Sequence, residues 1–114
     1  MDEVKSISTE ELQSRLQKDS SFHFWNVLTD EYFHGELIPG SRRVPLDRVG
    51  RDVSTAHLPK DAEIIVYCAG PSYPQSILAA EKLRNLGYSN VKAYEGGLGD
   101  WKSAGNKVEY AKAA

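Results

Sequence analysis

The chain has a single thiol, Cys68, in a setting where it could act as a nucleophile. It ends the apolar run Ile64-Ile65-Val66-Tyr67. It is followed by Ala69-Gly70-Pro71-Ser72-Tyr73-Pro74-Gln75, and a helical pattern begins near Ser76. A thiol at such a junction meets loop amides and a helix N-terminus, which together favour a thiolate. An isolated cysteine is by default a small buried hydrophobe. The strand-end position argues against that default here. The three histidines, His23, His34 and His57, lack metal-ligand spacing. His23 reads as strand surface and His57 as loop surface, and His34 is a surface residue that could play a minor substrate role. Phosphate chemistry on a cysteine loop wants a bidentate guanidinium at the loop's end. The first arginine after Cys68 is Arg84, far along the helix, which sets phosphatase and arsenate reductase chemistry aside.

The elements around the thiol follow from pattern and capping chemistry. Ser8-Thr9-Glu10-Glu11 is a capping box, with Ser8 as N-cap, and Leu12 and Leu16 share the face of the helix it starts. Residues 22–28 are rich in strand formers. Thr29-Asp30-Glu31 predicts a short helix through Tyr32 and Phe33. Pro39-Gly40 is a turn, Arg43-Val44 a short strand, and Pro45 the start of a short helix over residues 46–49. Residues 52–61 read as polar connection and 64–67 as a buried strand. Residues 76–86 predict a helix whose apolar stripe is Ile77, Leu78, Ala80, Leu83 and Leu86, capped by Gly87. A strand over 91–94, a tight turn at Glu95-Gly96-Gly97 and a helix over 98–104 complete the pattern. Strands alternating with helices predict an α/β domain with a mainly parallel sheet flanked by helices. In such sheets ligands bind beyond the carboxyl ends of the strands, which is where Cys68 falls.

Length and composition bound the rest. At 114 residues the chain reads as one domain, 1–114, with short tails of about 1–4 and 110–114. A net charge of −2 argues against nucleic acid as the main partner, and no run approaches a membrane span. A lone cysteine and an acidic start without an apolar signal region favour a cytoplasmic setting.

Three blocks in order resemble the rhodanese-like domain family. The first is Asp30-Glu31-Tyr32, then Ile38-Pro39-Gly40-Ser41 and Val44-Pro45-Leu46. The second is Ile65-Val66-Tyr67-Cys68. The third is Leu83-Arg84-Asn85-Leu86-Gly87-Tyr88, Asn90-Val91, then Tyr94-Glu95-Gly96-Gly97-Leu98, Trp101 and Ala104-Gly105. The resemblance spans roughly residues 5–109 and implies a three-layer rhodanese-like fold and a sulfurtransferase. Cys68 would take a sulfane sulfur from a thiosulfate-like or persulfide donor and pass it to a thiol or other nucleophile. Ala69, Gly70, Pro71, Ser72, Tyr73, Pro74, Gln75 and Ser76 would bind the substrate. Their amides and the following helix dipole would cradle the terminal sulfur. No metal or organic cofactor is implied. The partners are a small sulfur donor and a thiol acceptor, small or on a protein, and the chain is expected as a monomer or weak dimer.

The chain departs from the family pattern at four points. With Ser76 as the helix-starting residue, the loop from Cys68 to Gln75 is two residues longer than the commonest form. It contains no Arg or Lys. Asn26-Val27-Leu28 stands where Asp-Val-Arg is usual, and Leu37 stands where a His often precedes Ile-Pro-Gly. These changes bear on substrate, because dianionic thiosulfate gains from a nearby cation. Arg42 or Arg43 could supply that cation from outside the loop, although a solvated turn pair explains them too. Capping explains Ser76, packing explains Phe24, Trp25 and Trp101, and backbone geometry explains Gly96 and Gly97. Glu95 suits either the turn or the site. A second function class stays open: a non-catalytic or redox-sensing module that uses the same pocket to bind a partner.

Overall fold

A computed structural model describes residues 4–19 and 21–111. The centre is β5 (Ile64–Tyr67), whose four residues are fully buried. It pairs in parallel with β6 (Val91–Tyr94) on one side and β2 (His23–Asn26) on the other. β1 (Lys5–Ser6) and β4 (Arg42–Arg43) form the edges, so the order is β1-β6-β5-β2-β4, parallel throughout. A parallel sheet needs cover on both faces, and the continuous apolar runs in its strands reflect that.

Strand alternation divides the core in two. Ile64 and Val66 of β5, with Trp25 and Val27, face Val49, Val53, Ala79, Ala80 and Leu83. These come from α2 (Val49–Ala56) and α3 (Gln75–Asn85). Ile65 and Tyr67, with Phe24, face Leu12, Leu98 and Trp101 on the opposite side. These come from α1 (Thr9–Lys18) and α4 (Gly97–Ser103). The result is the parallel-sheet α/β domain the pattern predicts, in the three layers the resemblance implies.

Several local expectations are met. Ser8 accepts the Glu11 amide at 3.1 Å while the Glu11 carboxylate accepts the Ser8 amide at 3.1 Å, a complete capping box. Gly87, at φ 100°, takes the left-handed position just past α3, and its amide donates to Arg84 O at 2.9 Å.

Others are corrected. Thr29 to Phe33 is a single turn: its carbonyl accepts the amides of Tyr32 and Phe33, and no helix propagates. One turn without a buried face does not repay helix nucleation. Residues 46–49 continue from a 3-10 turn (Leu46–Arg48) into α2, which occupies much of the stretch expected to be connection. Val49 and Val53, four apart and both buried, supply the apolar face. The stripe of α3 is Ser76, Ala79, Ala80 and Leu83, whereas Leu78 and Leu86 are exposed. Alanines let the helix approach the sheet closely, and this outweighs the larger leucines. The tail is tied down further than expected. β7 (Glu109–Tyr110) pairs antiparallel with β3 (Glu36–Leu37), and Ala111 N–H donates to Gly35 O at 2.8 Å. The remainder of the expected tail, residues 112–114, lies outside the described residues.

Candidate active site

Cys68 leaves the carboxyl end of β5 with no exposed surface. Its thiol donates to Tyr73 O at 3.2 Å and lies 3.7 Å from Gly70 O. The loop therefore folds over the sulfur, and two of its carbonyls face the thiol. The amide of Tyr73 is committed to Gly70 O at 3.0 Å. Gly70 is buried inside the turn, while Pro71, Ser72, Tyr73 and Pro74 form its exposed outer wall.

Two neighbouring segments hold the loop's ends. On one side, Leu98 N–H donates to Cys68 O at 3.0 Å and Gly99 N–H to Ala69 O at 2.8 Å. That approach depends on Gly97, at φ 59°. A Cβ there would sit 2.3 Å from Cys68 O and 2.8 Å from Gly70 N. Gly97 thus serves the backbone, as expected, and the backbone it serves is that of the cysteine loop, whereas a Cβ at Gly96 would meet the Asp100 side chain. On the other side, the Gln75 side chain exchanges two hydrogen bonds with Thr29. It accepts from Thr29 N at 3.1 Å and donates to Thr29 Oγ1 at 3.2 Å. The rings of Tyr32 and Tyr73 meet edge to face at 5.9 Å just outside.

Ser76 is buried in the first turn of α3, and Pro74 occupies the N-cap position without a side-chain cap. Capping is therefore not the role of Ser76. The first i to i−4 bond of α3 runs from Leu78 N to Pro74 O at 3.0 Å. The amides of Gln75, Ser76 and Ile77 precede it and have no partner within the helix.

The other candidates separate cleanly. The guanidinium of Arg43 reaches toward the strand ends, where it donates to Leu28 O at 2.6 Å and pairs with Asp30 at 3.0 Å. It also lies over the Phe33 ring at 4.0 Å. Arg42 lies over the Trp25 ring at 5.6 Å. Glu95 accepts from Ser6 Oγ at the sheet edge. His34 lines a cavity of about 140 Å³ together with Leu28, Tyr32, Glu36, Ala69, Leu98, Gly99 and Lys102. Lys102 and Glu36 were not singled out by motif reasoning. They are remote in sequence and meet only through the fold, so no spacing signal could mark them.

Tyr67 is a further residue the motifs left unassigned. Its hydroxyl accepts the Ile38 amide at 2.9 Å and lies 2.7 Å from Ser41 Oγ. Burial pushes its ionisation up, so it stays a neutral tie between β5 and the Ile38-Pro39-Gly40-Ser41 turn. Asn26, buried where an acid is usual, accepts the Leu28 amide at 3.0 Å and stabilises the same end of β2.

A parallel five-stranded sheet with a cysteine loop between its central strand and the next helix defines a known class. The model of the rhodanese-like domain matches residues 8–104, and the chain belongs to that family. A protein from Bacillus halodurans has a crystal structure superposing at TM-score 0.81 with 27% identity, over 93% of this chain and 77% of that one. The solution structure of a rhodanese-like domain from Anabaena gives TM-score 0.81 and 27% identity, over 100% of this chain and 89% of that one. A thiosulfate sulfurtransferase from Pseudomonas aeruginosa gives TM-score 0.80 and 27% identity, over 96% of this chain but 21% of that larger one. No curated protein sequence matches. Among the described residues, no helix is long and apolar enough to cross a membrane.

Proposed function

We propose that the protein is a sulfurtransferase that carries sulfane sulfur as a persulfide on Cys68. The observation that carries this is the position of the thiol: the carboxyl end of the central strand, at the start of the loop that leads into α3, in a rhodanese-like fold. The chemistry uses the Cys68 sulfur as nucleophile, and in this structure two carbonyls face and cover it. Loading therefore requires the Gly70 and Tyr73 peptides to turn away from the sulfur. Residues 69–76 would then present amides, those of Gln75 and Ser76 among them, to the charge. The Cys68 thiolate attacks the outer sulfur of a donor R–S–SH. The donor S–S bond breaks, R–S⁻ leaves, and Cys68–S–SH forms. An acceptor thiolate reverses the sequence and regenerates Cys68–S⁻.

The buried, carbonyl-held sulfur favours a second reading, a rhodanese-like binding module that no longer turns over. Intact mass after incubation with a persulfide donor separates the two. We expect a gain of one sulfur atom in the wild type and none in Cys68→Ser, with unchanged circular dichroism. Equal gain in both proteins, or none in either, would overturn the transfer reading.

A further inference from the structure

Resting on the transfer reading, we propose that the cavity beside Ala69 selects the thiol substrate, a small α-amino-acid thiol of cysteine size carrying both an ammonium and a carboxylate. Ala69, next in sequence to the nucleophile, and Gly99, whose amide donates to Ala69 O, both line the cavity. Leu28, Leu98 and Tyr32 form apolar walls suited to a methylene and a sulfur. Lys102 and Glu36 line the same cavity, with the ammonium 2.9 Å from both carboxylate oxygens. Their side chains are 47% and 23% exposed, so solvent and a ligand can reach the pair.

This arrangement offers a ligand both signs of charge and little net charge. An incoming carboxylate matches Lys102, and an ammonium on the same ligand matches Glu36. A doubly negative donor gains little, since the nearby cations Arg43 and Lys102 each already face a carboxylate at about 3 Å. At about 140 Å³ the cavity is also well below the ~300 Å³ at which drug-sized pockets begin. In the transfer, the bound R–S⁻ attacks the outer sulfur of Cys68–S–SH. The Cys68 S–S bond breaks, its electron pair returns to the cysteine sulfur, and R–S–SH departs.

The test uses the full chain loaded with sulfur and four acceptors of similar size: cysteine, mercaptopropionate, cysteamine and mercaptoethanol. For each, kcat/KM of Lys102→Met is divided by that of the wild type, which cancels intrinsic thiol reactivity. Loss of one charged contact of this kind is worth about tenfold. We expect the quotient for cysteine and mercaptopropionate to be about tenfold below that for mercaptoethanol, with Glu36→Gln doing the same to cysteine and cysteamine. Lys102→Arg restores most of the preference. Equal quotients across the four acceptors overturn the proposal while leaving sulfur transfer intact. A wild type that takes up no sulfur, and so has none to transfer, instead overturns the transfer reading. The cavity is then judged by binding alone, through amide shifts of Ala69 and Gly99 on titrating S-methylcysteine. Shifts in Cys68→Ser that are lost in the Cys68→Ser, Lys102→Met double variant support the subsite, and their absence overturns it.

Discussion

Cys68 is a nucleophile candidate whose backbone, more than its side chain, is held in place. Its carbonyl and that of Ala69 are held by the amides of Leu98 and Gly99, and Gly97 makes that contact possible. This gives a sharp expectation for two glycines of the same site. Gly97→Ala adds a methyl 2.3 Å from Cys68 O at a left-handed φ. Strain and overlap together should cost about 3 kcal/mol or more, lowering the Tm by at least about 10 °C. Gly70→Ala meets nothing nearer than Gly96 O at 3.7 Å and should stay within about 1 kcal/mol. Thermal melts of both variants check this, and a similar Tm for the two would show that the loop yields to a side chain at 97. The cysteine was legible from its neighbours alone, because strand, small-residue loop and helix follow one another within the chain. The Tyr73 carbonyl on its sulfur was not legible, since loop length and composition do not set which way a peptide faces.

Among the elements, local chemistry decided the ends and tertiary packing decided the faces. The capping box of α1 was readable from Ser8 and Glu11 because its bonds span three residues. Ser8→Ala should cost about 1 kcal/mol and move the urea midpoint down without changing the slope. The buried face of α3 departs from its apolar pattern, because exposed Leu78 and buried Ala79 cannot be ranked by hydrophobicity alone. How near the helix lies to β5 and β6 chooses between them. The valines of α2 carried a legible i, i+4 signal that the polar surroundings masked. The strands β1, β3 and β7 have two residues each, too short for any periodicity, and they exist because a partner strand satisfies their backbone.

For the whole molecule, the end of the sheet opposite Cys68 is pinned by charge. Glu63 precedes β5 and accepts two bonds from Arg15 of α1, at 2.7 and 2.6 Å, and one from Lys92 of β6 at 2.8 Å. The Arg15 guanidinium leads in holding its carboxyl down at about 2, against an ordinary 4.5. Ionised Glu63 therefore stabilises the folded state fully above pH 4.5, and that contribution is lost as pH falls toward 2. Allowing for screening, it is worth about 1–2 kcal/mol. Urea titrations between about pH 6 and about pH 2.5 should show a decline that Glu63→Gln flattens. Parallel curves for the two proteins would remove Glu63 as the cause. The class of fold, the strand that delivers the thiol and the order of the loop and helix after it were all written along the chain. Alternation, capping and turn chemistry act over a few residues and leave their mark there. Tertiary structure decided the rest. It turned carbonyls onto the sulfur, placed Gly97 against the loop backbone, and brought Glu36 from the first third of the chain to Lys102 near its end. Contacts between distant segments depend on how the layers stack, and no short-range pattern encodes that.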